Sequence, residues 1–352
     1  MKIKDIFLTA CIIARDSSEF IGRCITSIKN VVDQIVVIDT GSVDDSVRIA
    51  KKSGAEVYFY KWNDDFSRVR NEALKYAKGS WIFQIDTDHE LIFGKDFELK
   101  DYLSRTNKIG FFVSEKSVLS NGDYKILDRL LVFRNIPGLK YEGVIHEHPV
   151  KSLREYANKK GITNPFDKIR EISLLHYGFL DIDKKMERNI AILKKALNKE
   201  PNNWHYRHKL LLSYKSLRQS ENYNKLMAET ISMLKKNLPN NTITISLMGI
   251  IGQVLDYFRE NNLYDIQLIN YANHVIRISD YADLRIAYPL ARIHLNSGDF
   301  ERAFSILHKY FSSEGTPGYI PISSRDRDEA IRLYIDLAEK VNGNVIKLKI
   351  NK

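Results

Sequence analysis

Two carboxylates one residue apart, Asp86 and Asp88, close the apolar run Trp81 to Ile85, and His89 and Glu90 follow at once. On a strand, side chains i and i+2 point to one face, so the pair can converge on one hard cation. A divalent ion held by one or two carboxylates keeps its other positions for water and substrate phosphates. The spacing therefore points to a diphosphate held through a metal. Asp39 follows another apolar run, Gln34 to Ile38, and opens into Thr40, Gly41, Ser42, Val43 and Asp44. It is either a turn former or an acceptor for a base or ribose. In the polar block Trp62 to Asn71, Asp65 or Ser67 can cap a helix, which leaves Arg70 and Asn71, one turn in, without a structural duty. His146, Glu147 and His148 share one segment after Gly143, and His176 ends a short apolar run. By residue type these are proton carriers or metal ligands.

Such residues act together only if the elements carrying them share an edge. Apolar runs of strand length (Ile6 to Ile13, Gln34 to Ile38, Ala55 to Tyr60, Trp81 to Ile85) alternate with helical patterns (Glu19 to Val31, Asp44 to Lys52, Phe66 to Ala77). That alternation predicts an α/β fold: a mainly parallel sheet with helices on both faces. Ligands bind such sheets beyond the carboxyl ends of the strands, where Asp39, Trp62 to Asp65, and Asp86 to Asp88 all fall. Ile109 to Leu119 and Tyr124 to Arg134 read as a hairpin turning at Ser120 to Asp123. Residues 151–170, polar and basic, read as a loop or flap, and Ile172 to Leu175 as one more strand.

After Asp181 nearly every segment is helical: Met186 to Leu197, Trp204 to Leu217, Tyr223 to Lys236, Leu284 to Leu295 and Phe300 to Tyr310. Pro-Asn-Asn punctuates the chain at Pro201 and Pro239, and Ala287, Ala291 and Ala303 sit where helices would approach closely. These features suggest helical hairpins of about 34 residues, tetratricopeptide-like, with residues 241–283 fitting least.

Taken in order, Ile12 to Asp16, Ile38 to Asp44, Trp62 to Asn71 and Asp86 to Asp88 resemble the motifs of family 2 glycosyltransferases, over about the first 180 residues. Gly143 to Glu147, His176 to Gly178, and Lys185 with Arg188 and Asn189 narrow the resemblance to members with a C-terminal tetratricopeptide-like domain. That subgroup includes enzymes glycosylating Cys or Ser of bacteriocin (glycocin) precursors. The resemblance implies a GT-A catalytic domain over 1–180, a helical acceptor-binding or dimerisation domain over 181–315, and a helical extension over 316–352. It implies that Asp39 and Arg70 contact the uridine of a UDP-sugar, with the backbone near Ala10 to Ile12 lining the base. Arg15, Asn71 and Thr87 would complete the donor site. Asp88, and Asp86 less directly, would hold Mg²⁺ or Mn²⁺ on the diphosphate, with His176 as a late metal ligand. Arg129 and Arg134 would either neutralise phosphate or serve as strand-face charges. An acid more often follows the second Asp of the pair directly, so His89 and Glu90 are left without a role. The implied reaction is inverting displacement on UDP-glucose or UDP-N-acetylglucosamine, with Glu147, His146 or neither as base. The acceptor would be a Cys, Ser or Thr of a peptide; the alternatives are a lipid-linked or cell-envelope glycan, and a non-catalytic peptide-binding scaffold.

Composition sets the outer bounds. The 352 residues are 44% hydrophobic and 28% charged, as in ordinary globular proteins. The net charge of +10 comes from Lys and Arg interleaved with acids, the pattern of solvated helix faces, and no basic–aromatic stripe suggests nucleic acid. Two cysteines, Cys11 and Cys24, make neither a disulfide scaffold nor a zinc site. No run approaches the roughly 20 apolar residues of a membrane helix, and Met1 to Phe7 lacks a signal peptide's apolar core. A cytoplasmic location is expected, and a homodimer is compatible with the helical half.

Overall fold

The computed structural model describes residues 6–94, 97–118, 124–177, 182–238, 243–279, 283–312 and 324–342. Packing divides the chain between Ile192 and Leu193. The expected turn at Ser120 to Asp123, the second Pro-Asn-Asn, Gly178 and Asp181 lie outside the described residues.

In unit 1, β1 (Leu8–Ala14), β2 (Gln34–Asp39), β3 (Glu56–Phe59) and β4 (Trp81–Gln84) alternate with α1 (Ile21–Ile28), α2 (Ser46–Lys52) and α3 (Phe66–Tyr76). Then come β5 (His89–Phe93), α4 (Leu99–Ser104), β6 (Gly110–Val118), β7 (Tyr124–Arg134), α5 (Val150–Lys160) and β8 (Phe166–His176). All eight strands form one sheet in the order β3-β2-β1-β4-β7-β6-β8-β5. β1 to β4 run parallel, while β7 is antiparallel to β4 and to β6. β8 is parallel to β6 and antiparallel to β5. Side chains alternate across β1: Ala10 and Ile12 enter the core under α1, and Cys11 enters the core under α3 and α5. Both cysteines are free and buried.

Close backbone approach fixes where β4 begins. A Cβ on Gly79 would lie 2.7 Å from the Thr9 nitrogen and 2.9 Å from the Trp81 oxygen, far inside contact distance. Asp65 caps α3, its carboxylate accepting from the Arg68 N–H at 3.2 Å, one of the two caps considered from sequence.

In unit 1 one expectation changes. Residues 151–170 are not a loop: α5 occupies most of the first half and β8 starts at Phe166. Only Leu153 and Ala157, one turn apart, are fully buried on α5, so its apolar stripe is too thin to read against a polar background. Gly161, at φ 65°, closes the helix in the left-handed conformation. β5 and α4 had no separate sequence signature.

In unit 2, after α6 (Ile182–Lys199), come α7 (Trp204–Ser216), α8 (Ser220–Asn237), α9 (Ile245–Glu260), α10 (Ile266–Ile278), α11 (Leu284–Asn296), α12 (Phe300–Ser312) and α13 (Ser324–Asn342). α7 packs on α9 and α9 on α11, while α8 packs on α10, the stacking of repeated helical hairpins. Hairpins begin at 204, 245 and 284, a longer period than the one expected. The middle hairpin, which fitted least by sequence, is built like its neighbours. Its close approach uses Gly249 and Gly252 in place of Ala: a Cβ on Gly252 would lie 2.4 Å from the Arg285 oxygen. Ala287, Ala291 and Ala303 are fully buried, as their spacing predicted.

Candidate active site

Asp86 and Asp88 fall in the turn between β4 and β5, and there the two carboxylates part company. Asp86 ion-pairs with Arg70 and lies 3.4 Å from the Arg129 guanidinium. Burial opposes its charge, but the two arginines outweigh it and hold the carboxyl well below the usual range. Asp88 lies the other way, its Oδ2 3.4 Å from His176 Nε2 and 3.0 Å from Lys185 Nζ. It too is held low against burial, chiefly by the hydrogen bond to His176.

His176 reaches Asp88 because β5 and β8 pair with His89 opposite His176, and β6 and β8 pair with Ser117 opposite His176. Its Nδ1 lies 3.0 Å from Ser117 Oγ and 3.6 Å from Glu115 Oε1, which leaves Nε2 to face Asp88. Burial lowers the proton affinity of this ring, but Asp88 and Glu115 reverse the effect and the pKa is raised.

Asp88, His89 and His176 bring ligand atoms within 4.8 Å of one another. His89 does not fit a ligand's role. The Asp86 N–H donates to its Nδ1 at 3.2 Å, so the neutral ring carries its proton on Nε2, which faces Glu115 at 3.2 Å. A protonated nitrogen has no lone pair for a cation. Asp88 and His176 do fit: one carboxylate and one imidazole whose far nitrogen is anchored by Ser117 and Glu115, with other positions left for phosphate and water. Asp86 is not part of that set, because both its oxygens face guanidinium groups.

Glu115 was not anticipated. Buried on β6, it accepts from Arg129 at 2.6 Å, and despite burial its pKa falls to about 2 through His89 and Arg129. The available signal was an acid and a hydroxyl, Glu115 and Ser117, in step with the inward-facing Val113. Glu90 also gains a role, accepting from the Tyr177 hydroxyl at 2.8 Å.

Arg70, only 4% exposed, is not free to meet a nucleoside: it bridges Asp86 and Glu147, the latter at 3.0 Å. Asn71 is likewise committed. Its Nδ2 donates to the Tyr141 oxygen at 3.0 Å and its Oδ1 accepts from the Tyr141 N–H at 2.8 Å. Both residues therefore position the segment Tyr141 to His148, where Glu142 and His148 exchange backbone hydrogen bonds. Within that segment Glu147 turns inward, its side chain 8% exposed. His146 is exposed, in the left-handed region at φ 54°.

Asp39 is buried at the end of β2, accepting from the N–H groups of Gly41 and Ser42 and from the Ser42 hydroxyl, so it does form the turn. Ala10 and Ile12 lie within β1, fully buried; the strand runs on to Ala14, which puts the carboxyl edge at Arg15 and Asp16. Thr87 hydrogen-bonds Ser17 at 3.2 Å. Arg129 belongs to the charged cluster. Arg134 does not: it covers the Trp81 ring at 4.5 Å and donates to the Thr106 and Lys108 oxygens.

Strand order and the gathering of these groups at the carboxyl edge define a GT-A type α/β domain. Residues 9–156 match the family model described as glycosyl transferase family 2, and unit 1 carries a domain of that family. The TPR repeat-containing protein Synpcc7942_0270 of Synechococcus elongatus is 38% identical over 141 residues, 40% of this chain and 34% of its own length. The SPbeta prophage-derived glycosyltransferase SunS of Bacillus subtilis is 30% identical over 207 residues, 56% of this chain and 46% of its own length. This chain thus spans less than half the length of either relative. S. aureus TarS 1-349 in complex with UDP-GlcNAc aligns over 90% of this chain and 100% of that one, at 14% identity and a TM-score of 0.42. The expected order, a family 2 domain followed by helical repeats, holds. No helix among the described residues is long and apolar enough to cross a membrane.

Proposed function

We propose that the protein is a metal-dependent inverting glycosyltransferase, moving a sugar from a UDP-sugar to a Cys, Ser or Thr of a peptide. The observation that carries this reading is Asp88 facing His176 at 3.4 Å at the sheet's carboxyl edge, within unit 1. When bound there, a divalent ion supplies charge neutralisation for the leaving diphosphate. The mixed carboxylate–imidazole pair suits Mn²⁺ better than Mg²⁺, which prefers oxygen ligands.

The protein's own residues supply the rest. Ser117 and Glu115 orient the His176 ring. Arg70 fixes Glu147 in one rotamer through its Oε1. Glu147 Oε2 then takes the acceptor's proton as the sugar's anomeric carbon is attacked from the face opposite the diphosphate. A thiol acceptor asks little of this base, since a free cysteine titrates near pH 8.5. The helical repeats of unit 2 offer the kind of surface on which extended peptides bind.

The test is to incubate the protein with UDP-glucose or UDP-N-acetylglucosamine and Mn²⁺, adding precursor-like peptides or an envelope glycan. UDP release and product mass are then measured. Transfer to peptide is expected; transfer only to glycan would move the acceptor assignment, and no turnover with any donor would overturn the reading. Asp88→Asn is expected to lower turnover by about 100-fold or more with loss of Mn²⁺ binding by electron paramagnetic resonance.

A further inference from the structure

Lys185 and Arg188 lie one turn apart on one face of α6, within unit 1. Lys185 Nζ is 3.0 Å from the Asp88 oxygen that also faces His176. Arg188 covers the ring of Phe66, the first residue of α3, at 5.1 Å. Its recorded hydrogen bonds go only to the neighbouring Asn189 side chain, and among the described residues no carboxylate pairs with it. Arg15, at the end of β1, is half exposed and 3.9 Å from Asp16, whose carboxylate already accepts from the Val43 N–H. Desolvation, and then the charge of Arg15, draw Arg188 below the ordinary guanidinium value.

We propose that Lys185, Arg188 and Arg15 form a cationic clamp for the diphosphate of the donor, and that Lys185 occupies Asp88 until a divalent cation displaces it. The donor part of this rests on the transferase reading above. The electrostatics set the order of events. In the ion-free protein Asp88 is balanced by the ammonium of Lys185. A doubly charged ion at Asp88 repels that ammonium, and the arriving diphosphate gives it a new anion within a side chain's reach. Arg188, stacked on Phe66, is held in place for bidentate contact with phosphate oxygens.

The experiment uses the full chain and two readouts: Mn²⁺ binding alone by electron paramagnetic resonance, and calorimetric binding of inorganic pyrophosphate and of UDP with Mn²⁺ present. Lys185→Met should bind Mn²⁺ more tightly without nucleotide, because its competitor is gone, yet bind pyrophosphate more weakly. Arg188→Gln should weaken pyrophosphate and UDP by about 10-fold or more at an unchanged melting temperature, and Arg188→Lys should recover part of the loss. A merely structural role cannot give the opposite signs expected of Lys185→Met. Unchanged pyrophosphate and UDP affinity in both variants would overturn the clamp and leave the transferase reading standing. Pyrophosphate binding that depends on both residues, with no binding of UDP, would keep the clamp and overturn the uridine-nucleotide donor.

Discussion

Arg70, expected at the uridine, is tied down by two carboxylates. Its place one turn into α3, near the ligand-binding edge, marked it as functional. Its buried guanidinium instead ties Asp86 to Glu147. Arg70→Met would leave the buried Glu147 carboxylate and the part-buried Asp86 with less compensation, and a broken buried pair costs about 3–5 kcal/mol. Chemical denaturation should show a loss of that order, softened by Arg129 at Asp86. The exposed pair Arg68–Asp65 should contribute less than about 1 kcal/mol. His176 gives a signed pH dependence. Its folded pKa lies above the ordinary 6.5, so its stabilisation is fully present below that value and is lost as pH rises through the raised one. Ion-free protein should therefore melt at higher temperature at pH 6 than at pH 8 as far as this group decides, and His176→Gln should flatten the slope. Mn²⁺ needs the unprotonated Nε2, so its affinity should climb with pH over the same range. An unchanged affinity would count against His176 as a ligand.

Among elements, the segment Tyr141 to His148 carries the base candidates but is held from α3. Asn71 clasps the Tyr141 backbone by two hydrogen bonds, and the Phe66 N–H donates to the Val144 oxygen at 2.8 Å. Asn71→Ala should cost about 1–3 kcal/mol, since it removes two bonds and strands buried backbone groups. It should also lower kcat more than it raises the KM for donor, because Glu147 loses its placement. Equal effects on both would return Asn71 to the donor site. The first four strands were legible because each is a short apolar run bounded by turn signals. β5 was not, since it follows β4 after a four-residue turn and its exposed Ile92 and Phe93 look no different from loop residues. α5 escaped because two buried residues in eleven do not make a visible stripe.

For the molecule as a whole, acid should act differently on the two units. In unit 2, His208 is 7% exposed and hydrogen-bonded to Gln253 at 3.0 Å. Burial is the main cause that lowers its pKa from 6.5 to about 4. A depressed histidine is stabilising above its unfolded value, and that contribution is lost as pH falls from 6.5 towards 4, about 3 kcal/mol in all. His176 in unit 1 has the opposite sign over the neutral range. Below pH 6, unit 2 should thus open first, seen as earlier loss of amide protection in α7 and α9. His208→Gln should remove the difference.

The sequence by itself determined the local and the ordered. Apolar periodicity and turn residues gave the alternating elements, and the succession of Asp39, Arg70, Asp86 and Asp88 put these side chains at one end of the sheet, because strand ends and helix starts are written in neighbouring residues. Small residues and punctuation marked helical hairpins for the same reason. What only tertiary structure decided was pairing across distance. β5 had to lie antiparallel to β8, with His89 opposite His176, before Asp88 had a partner, and β6 had to bring Glu115 beside both histidines. Register between strands far apart in the chain depends on which faces bury together, and a strand's own residues do not name the partner it will pair with.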